Sequence, residues 1–251
     1  MIHGSLTFSE FGLPFQACPE PQAILKLCPL FHSIKQSCLE HLMSESHLAY
    51  ADRNEVLWTE GSPSRFFIVV GQGILKVTQL AINHQEVTID ALGPGSFGGL
   101  HLSVTGAHFT STATSISNFW YLKIPDQVWH QVAEQEPCLN ERLWNEVVNK
   151  MQHRIDLLSG LFLGGDHQRI GLIVLRIAEQ FPERPSGKKA TIPLSLQALA
   201  ELSSTSLEST TSMVKSWQRE GFVRIGAQGI RVLQPQELSI RIHQNSAAIS
   251  L

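Results

Sequence analysis

The sequence predicts an α+β protein with three parts in order: an N-terminal β roll, a long dimerisation helix and a C-terminal winged helix-turn-helix. Three observations predict this order. Short β-rich runs separated by Gly-containing turns fill residues 54–125, apolar residues recur with heptad spacing over 144–162, and two short helices joined by a tight turn lie within 195–220. The first pattern is typical of antiparallel barrels and rolls, and the last is typical of helix-turn-helix units.

The roll is predicted from five β-rich runs. They read "EVLW", "RFFIVV", "ILKVTQL", "EVTIDAL" and "STATSISNFWYLKI", and glycine-containing or polar turns separate them. Ahead of them, Ile34, Cys38 and Leu42 recur at i, i+4 and i+8, which places them on one face of a short amphipathic helix. We expect this helix to cover the front edge of the roll.

The long helix is predicted by an apolar seam whose spacing alternates between four and three residues. It follows Pro137, a residue that suits the first turn of a helix. The seam residues are Trp144, Val148, Met151, Ile155, Leu158 and Phe162. So narrow a stripe indicates a coiled coil between two copies. A helix packed on its own domain would instead show a wider apolar stripe. Val147 and Leu157 widen the stripe a little, so packing within one chain is the alternative.

A hinge is expected where the seam ends. Gly164 and Gly165 relax the backbone, and Asp166 is expected to N-cap a new helix that runs to Phe181. The following residues, "PERPSGKK" at 182–189, have the composition of a loop.

Two helices, over 195–202 and 206–220, are joined by "SST", and Gly221 can terminate the second one. The second helix is rich in Ser and Thr, which are weak helix formers. Packing of Met213, Val214 and Trp217 against the first helix is therefore expected to stabilise it. Beyond it, "FVRIGAQGIRVL" predicts two short strands around a turn, which form a wing.

The opposite face of the second helix is polar, and its short hydroxyl side chains allow a close approach to another surface. Residues at helical spacing on this face and at the start of the helix are the candidates for contacts with DNA. They are Thr205, Ser206, Glu208, Ser209, Thr211, Ser212, Lys215 and Arg219.

The order of these elements resembles the CRP/FNR superfamily of bacterial transcription regulators, whose roll is a cyclic-nucleotide-binding domain. Two stretches carry the resemblance. "LSLQALAELSSTSLESTTSMV" matches the family's recognition pattern, and "NEVLWTEGSPSRFFIVVGQGILKV" matches the opening of its roll. The resemblance covers roughly residues 27–232. It implies a homodimer that binds double-stranded DNA, with RNA polymerase as a partner and no membrane contact.

The resemblance and the patterns together divide the chain into five segments. They are an N-terminal extension (1–26), a β-roll effector or sensor domain (27–135), a dimerisation helix (136–163), a winged helix-turn-helix DNA-binding domain (164–232) and a C-terminal tail (233–251).

Glu208 falls at the position that in this family accepts a hydrogen bond from a cytosine amino group, a pairing that donor and acceptor geometry also favours. A local role competes with it, because Thr205 and Glu208 have the spacing of a capping box. Leu207 and Ser212 stand where base-reading arginines are common in the family. The family's usual operator sequence is therefore not assumed for this chain. Lys215 and Arg219 are the alternative cations for contacts with DNA.

The sequence argues against cyclic AMP as the effector. Gly99 stands where nucleotide-binding members have a Glu for the ribose, and no Lys or Arg occurs between Lys76 and Lys123. A buried phosphate without a cationic partner is costly. Histidines, Thr110 and backbone amides are the substitutes that this stretch offers. The candidate effector residues are Gly98, Gly99, Leu100, His101, His108 and Thr110.

The four cysteines, Cys18, Cys28, Cys38 and Cys138, are too few for a disulfide framework in a chain of this length. The oxygen-sensing branch of the family binds a [4Fe-4S] cluster through four cysteines, but these four lack the tight spacing of that branch. Structural thiols and a redox thiol are the alternatives, and Cys38 lies on an apolar helix face. Haem is a further family option, which the eleven histidines allow without identifying a ligand. The sequence identifies no cofactor.

Charge and motifs limit the class of protein. The net charge is −3, yet residues 1–165 carry nine Lys or Arg against fifteen Asp or Glu, whereas 166–232 carry nine against six. The longest apolar run, "FFIVV", is far shorter than the roughly 18 residues of a membrane span, and the N-terminus does not resemble a secretory signal. We expect a cytoplasmic protein that is not an enzyme, because no phosphate loop, nucleophile elbow or metalloprotease motif occurs. A homodimeric regulator is the leading hypothesis, and a ligand-binding or protein-interaction module that no longer binds DNA is the alternative.

Overall fold

A computed structural model of the chain describes residues 18–82, 84, 86–100, 106–163, 165–181 and 191–247. Side chains are described within these ranges except at 157, 158, 160–163 and 244–247. The described residues form a β roll flanked by helices, a long helix and a winged helix-turn-helix unit, as the sequence predicts.

Two helices precede the roll. They are α1 (Pro21–Leu27) and α2 (Gln36–Glu45), with a 3₁₀ turn at Pro29–Phe31 between them. Ile24 and Leu25 of α1 are buried against the roll, as are Cys38 and Leu42 of α2. The amphipathic helix expected around Cys38 is confirmed for Cys38 and Leu42, whereas Ile34 precedes the N-cap Lys35 and packs against the same core from outside the helix. Helix α1, part of which lies in the segment set apart as an N-terminal extension, also contributes to this core.

Two four-stranded antiparallel sheets form the roll. The strands are β1 (His47–Ala51), β2 (Val56–Trp58), β3 (Phe66–Gln72), β4 (Leu75–Leu80), β5 (Glu86–Leu92), β6 (Phe97–Gly98), β7 (Thr112–Ser115) and β8 (Phe119–Pro125). One sheet has the strand order β1-β8-β3-β6 and the other β2-β7-β4-β5.

Strand β3 shows why "FFIVV" is apolar at every position. Phe67 and Val69 pack into a core shared with the flanking helices, whereas Ile68 and Val70 pack into the core between the two sheets. Successive side chains of a strand point to opposite faces. Because both faces of β3 are covered, the strand has no solvent face to accommodate polar residues.

The roll differs from the prediction in two places. Strand β1 precedes the stretch in which strands were expected, and the run at 111–124 is two strands, β7 and β8, in different sheets. The chain crosses between the sheets at Ile116 and Ser117. There Ile116 N–H donates to the Ile74 carbonyl, and the Ser117 hydroxyl accepts from Ile74 N–H, both at 3.0 Å. Continuous β propensity therefore conceals a change of sheet.

Two helices follow the roll. They are α3 (Asp126–Gln135), which the sequence analysis did not identify, and α4 (Cys138–Leu163). Trp129 of α3 is fully buried and packs edge-on against Phe31 and Phe67, with ring centroids 6.5 and 6.2 Å away. Helix α4 begins directly after Pro137 and buries Leu139 in the same core. The roll is thereby joined to the long helix by packing as well as by the chain.

The C-terminal unit is a winged helix-turn-helix with one additional helix. Its elements are α5 (Asp166–Gln180), α6 (Leu196–Ser203), α7 (Leu207–Arg219), β9 (Val223–Gly226), β10 (Gly229–Val232) and α8 (Pro235–Ala247). Strands β9 and β10 pair as an antiparallel hairpin, which confirms the predicted wing.

Helix α8 falls in the segment that the sequence analysis set apart as a tail. Its Leu238 and Ile242 are buried in the core of the helix-turn-helix unit. Gly171 of α5 lets Ile242 approach closely, because a side chain there would overlap it. The helix at Pro235–Ala247 therefore belongs to the folded unit.

The cap predicted for α5 is wrong. Gly165 is the N-cap, and Asp166 is the first residue of the helix, with no side-chain cap. The Asp166 carboxylate instead accepts a hydrogen bond from the Ser209 hydroxyl and pairs with Arg169 in the first turn of the same helix, so it does not cap the backbone N–H groups. Gly164 and the loop at 182–189 lie outside the described residues.

The roll and the helix-turn-helix unit share apolar packing. Ile74, Ala91 and Ile116 of the roll belong to the same buried cluster as Ile173 and Ile177 of α5. The two units are thus packed directly on each other. None of the described helices combines the length and the apolar composition that a membrane-spanning segment requires.

Candidate nucleic-acid interface and effector cavity

Helix α7, the second helix of the helix-turn-helix and hereafter the recognition helix, starts at a side-chain cap. Ser206 is the N-cap, and its hydroxyl accepts from Ser209 N–H at 3.0 Å. The capping box proposed for Thr205 and Glu208 is therefore wrong, because the cap lies one residue later. The Thr205 amide donates to the Ala200 carbonyl at 3.0 Å, so it does not serve the Glu208 carboxylate.

A chain of hydroxyl groups holds the turn between α6 and the recognition helix. The Ser203 hydroxyl donates to the Leu199 carbonyl at 2.7 Å and lies 2.9 Å from Thr205 Oγ1, which in turn lies 2.8 Å from Thr210 Oγ1. Thr210 and Ser203 are buried. These contacts satisfy polar groups that would otherwise be costly to bury. Thr205 is thus committed to the turn.

Ser209 links the recognition helix to α5. Its hydroxyl donates to the Asp166 carboxylate, and this bond, together with Arg169, holds the pKa of Asp166 below its usual value. Ser209 is half-buried. Three of the eight residues predicted to contact DNA, namely Thr205, Ser206 and Ser209, therefore make contacts within the protein at the start of the helix.

The other five predicted residues form an outward polar face. Glu208, Ser212, Lys215 and Arg219 are exposed and Thr211 is half-exposed. None of the five makes a side-chain hydrogen bond or an ion pair with another residue that the structure describes. Leu207 precedes them at the first helical position and is 46% exposed. The face consequently offers an acid, two cations and two hydroxyls to an external surface.

The buried face of the recognition helix agrees with the sequence analysis. Val214 and Trp217 lie in the same buried cluster as Leu199 and Leu202 of α6, and Met213 packs at its edge. Gly221 adopts a φ of 84° after the C-cap, a conformation that Gly favours. Tertiary packing thus holds a helix whose sequence alone is a weak helix former.

The wing adds a cation that the sequence analysis did not include. Arg224 on β9 is exposed, whereas Arg231, opposite it on β10, donates to the Thr191 hydroxyl at 2.8 Å. The β alternation around the turn was the signal that could have identified Arg224, because the buried Val223 fixes which way its neighbour faces.

The apolar seam of α4 faces away from the roll. Trp144, Val148, Met151 and Ile155 are 70, 60, 58 and 52% exposed, respectively. Val147, which suggested a wider stripe, packs against the core on the opposite side. The backbones of Leu158 and Phe162 continue the helix, but their side chains lie outside the described set. Four large apolar side chains are thus left exposed in one row.

The cavity of the roll is nearly filled. Its volume is about 20 Å³, which is room for about one water molecule. Trp58 and Phe109 stack across it with ring centroids 4.8 Å apart and an interplanar angle of 16°. Both side chains are almost fully buried. Aromatic packing therefore occupies the space between the sheets.

Three of the six candidate effector residues line this cavity. They are Gly98, Gly99 and Thr110. Leu100 is buried in the core on the helix side of the roll, and His108 is exposed and forms an isolated bridge with Pro63. His101 lies outside the described residues.

Two cations at the cavity were missed because they come from α4. Lys150 and Arg154 line it together with Asp90. The Lys150 ammonium donates to the Phe97 carbonyl and lies 4.0 Å from the centre of the Phe97 ring, and burial lowers its pKa to about 8. Arg154 pairs with the buried Asp90 at 3.9 Å. The i, i+4 spacing of these two cations, on a face of α4 beside the seam, was the available signal.

The cysteines do not come together. Cys28 and Cys38 are buried, whereas Cys18 and Cys138 are exposed. No group of three or more His, Cys, Asp or Glu side chains within the described residues is arranged to hold a metal ion. Burial raises the pKa of Cys28 to about 12, which disfavours the thiolate that would bind metal or react. The donor set therefore does not fit a [4Fe-4S] cluster.

Comparison with known proteins supports the same two-part architecture. The family model described as "Cyclic nucleotide-binding domain" matches residues 49–136, and the one described as "Crp-like helix-turn-helix domain" matches residues 168–240. No curated protein sequence gives a match.

Several solved structures share the fold. The structure of FixK2 from Bradyrhizobium japonicum has a TM-score of 0.64 at 16% identity, covering 78% of this chain and 96% of that one. A CooA variant from Carboxydothermus hydrogenoformans has a TM-score of 0.58 at 15% identity, covering 80% and 89%. The c-di-GMP-responsive global regulator CLP from Xanthomonas campestris has a TM-score of 0.54 at 16% identity, covering 79% and 99%.

Proposed function

Because the chain belongs to the CRP/FNR superfamily of transcription regulators, we propose that it acts as a homodimer that binds double-stranded DNA sequence-specifically. The recognition helix enters the major groove, α4 joins two copies, and a signal other than cyclic AMP controls the protein at the roll. RNA polymerase is the protein partner that this function implies.

The observation that carries the proposal is the outward polar face of the recognition helix. Glu208 is exposed at the second helical position and has no side-chain partner within the described residues. A carboxylate there can accept from the amino group of cytosine, while Lys215 and Arg219 are free to meet phosphates or guanine. Exposed Leu207 is suited to the methyl group of thymine.

Dimerisation through α4 is supported by its exposed seam. Four large apolar side chains in one row are an unusual surface for a monomer, and heptad spacing is the spacing at which two helices interlock. Two-fold pairing of α4 would present two recognition helices to half-sites about one turn of DNA apart.

Control by a signal other than cyclic AMP is supported by the filled cavity. Sites for small molecules usually enclose about 300–1,000 Å³, whereas this cavity is about 20 Å³. Of the two cations that line it, Lys150 donates to the Phe97 carbonyl and Arg154 forms an ion pair with Asp90 at 3.9 Å, while Arg154 Nε has no hydrogen-bond partner among the described residues. A cyclic nucleotide would have to displace Trp58 or Phe109 and compete for these partners.

DNA binding is tested by incubating the purified protein with genomic fragments at several salt concentrations and sequencing those retained. Enrichment of an inverted repeat, with affinity falling as salt rises, is expected because phosphate contacts release counterions. Lys215→Ala should lower the salt slope by about one unit per protomer. Lys26→Ala, which removes the same charge at an exposed position of α1, is the matched surface control. Retention without enrichment or salt dependence would favour the interaction-module alternative.

The effector is tested on protein purified without oxygen. We expect a colourless protein without iron or sulfide, and no change in melting temperature with cyclic AMP. A brown sample containing iron and sulfide would contradict the structural role of the cysteines. A Soret band would identify haem, and stabilisation by cyclic AMP would contradict the proposed exclusion of the nucleotide.

A further inference from the structure

One glutamine fastens the helix-turn-helix unit to the roll. Gln180 is the last residue of α5, and its side-chain carbonyl accepts from Gly93 N–H at 2.5 Å and from the Ser96 hydroxyl at 2.6 Å. Its amide nitrogen donates to the Ala91 carbonyl at 3.0 Å and to the Arg176 carbonyl at 2.9 Å. An amide side chain has two acceptor sites and two donors. All four are used, three of them across the domain boundary.

The fit around this residue is close. A Cβ on Gly93 would lie 3.2 Å from Gln180 Cβ and 3.3 Å from the ring of Phe181. Gly93 is buried and Gln180 is half-buried. The loop between β5 and β6 therefore approaches the end of α5 through a residue without a side chain, and the amide enters the space that this leaves.

The same loop is also held by α4. Arg154 pairs with Asp90 just before the Gln180 contacts, and Lys150 donates to the Phe97 carbonyl just after them. The segment 90–97 is thus bound by α4 at both ends and by α5 in its middle. Through this segment, the orientation of α5 is fixed relative to α4, the proposed dimer helix.

Two attachment points fix the direction of a rigid helix. Helix α5 is joined to α4 by the chain at Gly165, and Gln180 holds its other end, about 20 Å away at the rise of an α-helix. Ile173 and Ile177 of α5 also pack against the roll, but apolar packing is non-directional, so the Gln180 hydrogen bonds are the directional attachment at this end. A tilt of about 10° would move the far end by about 3.5 Å, which is close to one base-pair step.

We propose that Gln180 is a positioning residue that sets the distance between the two recognition helices, and hence the half-site spacing that the dimer selects. The proposal rests on the function proposed above. It assigns spacing selectivity to a residue that does not touch DNA, whereas base selectivity stays with the exposed face of the recognition helix.

The test uses the full chain and duplexes that carry two copies of the selected half-site at centre-to-centre distances differing by one base pair. We compare the wild type with Gln180→Ala, and with Gln127→Ala, the same substitution at an exposed position of α3, as the matched control. In Gln180→Ala, the ratio of the affinity for the best spacing to the affinity for its neighbours should fall about fivefold. This is the effect expected from the loss of at least one hydrogen bond. Base preference within each half-site and affinity for a single half-site should stay unchanged.

Further arms separate the possible failures. Ser96→Ala removes one of the three interdomain bonds and should relax spacing less, and its effect should be smaller again in the Gln180→Ala background. If Gln180→Ala does not fold, Ser96→Ala decides the question. A folded Gln180→Ala variant with wild-type spacing preference, or an equal loss at all spacings, would overturn the inference. A wild type that selects no paired half-sites would instead refute the proposed function.

Discussion

The roll and the helix-turn-helix unit place their polar side chains differently. At the cavity of the roll, Lys150 donates to the Phe97 carbonyl and Arg154 forms an ion pair with Asp90 at 3.9 Å, and stacked aromatic rings occupy the remaining space. Two buried donors at this cavity, Trp58 Nε1 and Arg154 Nε, have no hydrogen-bond partner among the described residues. On the recognition helix, Glu208 and Lys215 are turned outward and have no side-chain partner within the described residues.

This difference indicates where an external partner binds. A polar group that is satisfied inside the protein gains little from a new ligand, because the ligand must first displace an existing bond. An exposed charge that is not paired keeps its full capacity for an external contact. By this criterion the recognition helix is available to a partner in the described conformation. The roll retains two donors without partners, Trp58 Nε1 and Arg154 Nε, but its cavity of about 20 Å³ must widen before a ligand can reach them.

The largest expected effect concerns the exposed row on α4. Met151→Glu combined with Ile155→Glu should convert dimers into monomers, because the two-fold axis would bring like charges together in an apolar interface. Light scattering across a range of concentrations measures the change. Asn149→Glu adds a charge to an exposed residue outside the seam and should leave the dimer intact. A double variant that stayed dimeric would place the interface elsewhere.

The filled cavity predicts a large stability effect. Trp58→Ala should lower the free energy of unfolding by about 3–5 kcal/mol, because it removes a buried ring and leaves a cavity. Chemical denaturation measures this difference. Val56→Ala, at an exposed position of the same strand, is the control and should change stability little. A small effect of Trp58→Ala would mean that the roll readily collapses or opens at this point.

A substitution on the exposed face of the recognition helix should instead change DNA affinity and leave stability nearly unchanged. Glu208→Ala should reduce affinity for the preferred DNA site by about 1–3 kcal/mol, because a base contact is lost. Its melting temperature should change little, since the carboxylate makes no capping contact in the structure. Fluorescence anisotropy and thermal unfolding measure the two quantities. A destabilised variant with unchanged DNA affinity would return Glu208 to a local structural role, and rescue by Glu208→Gln would strengthen that outcome.

The smallest effect is a pH dependence of stability. Burial lowers the pKa of Lys150 to about 8 from 10.5, so the unfolded chain holds this proton over a range in which the folded protein has released it. Stability from this group therefore rises with pH, by about 1 kcal/mol between about pH 7 and about pH 9. The rise should be absent from Lys150→Met and retained in Lys215→Met. Equal slopes in wild type and Lys150→Met would contradict the burial of the ammonium.

The sequence predicted those features that depend on local pattern. Heptad spacing identified α4 and its exposed row, and the periodicity of Val214 and Trp217 identified the buried face of the recognition helix. Features that depend on contacts between distant segments were missed. Lys150 of α4 reaches the cavity and contacts Phe97, 53 residues earlier in the chain. Gln180 of α5 reaches segment 90–97 and contacts Ser96, 84 residues earlier.

Two local errors have the same origin. Thr205 has the spacing of a capping residue, yet its hydroxyl lies 2.8 Å from the buried Thr210 hydroxyl, and Ser206 caps the helix instead. Asp166 was expected to cap α5, but it contacts Ser209, which is distant in sequence. In each case a hydrogen bond to a residue outside the expected cap, Thr210 in the same helix-turn-helix and Ser209 on another helix, competes with that cap, and the sequence does not reveal which of the two forms.

Selection of bound sequences from a pool of random duplexes tests the central claim most directly, because it measures base reading without assuming a target site. The wild type should enrich an inverted repeat whose half-sites are centred about one turn of DNA apart. Glu208→Ala should enrich the same repeat with selection lost at one symmetric pair of positions. An identical sequence preference in the two proteins, or no inverted repeat in either, would contradict the assignment of the recognition helix as the surface that reads DNA.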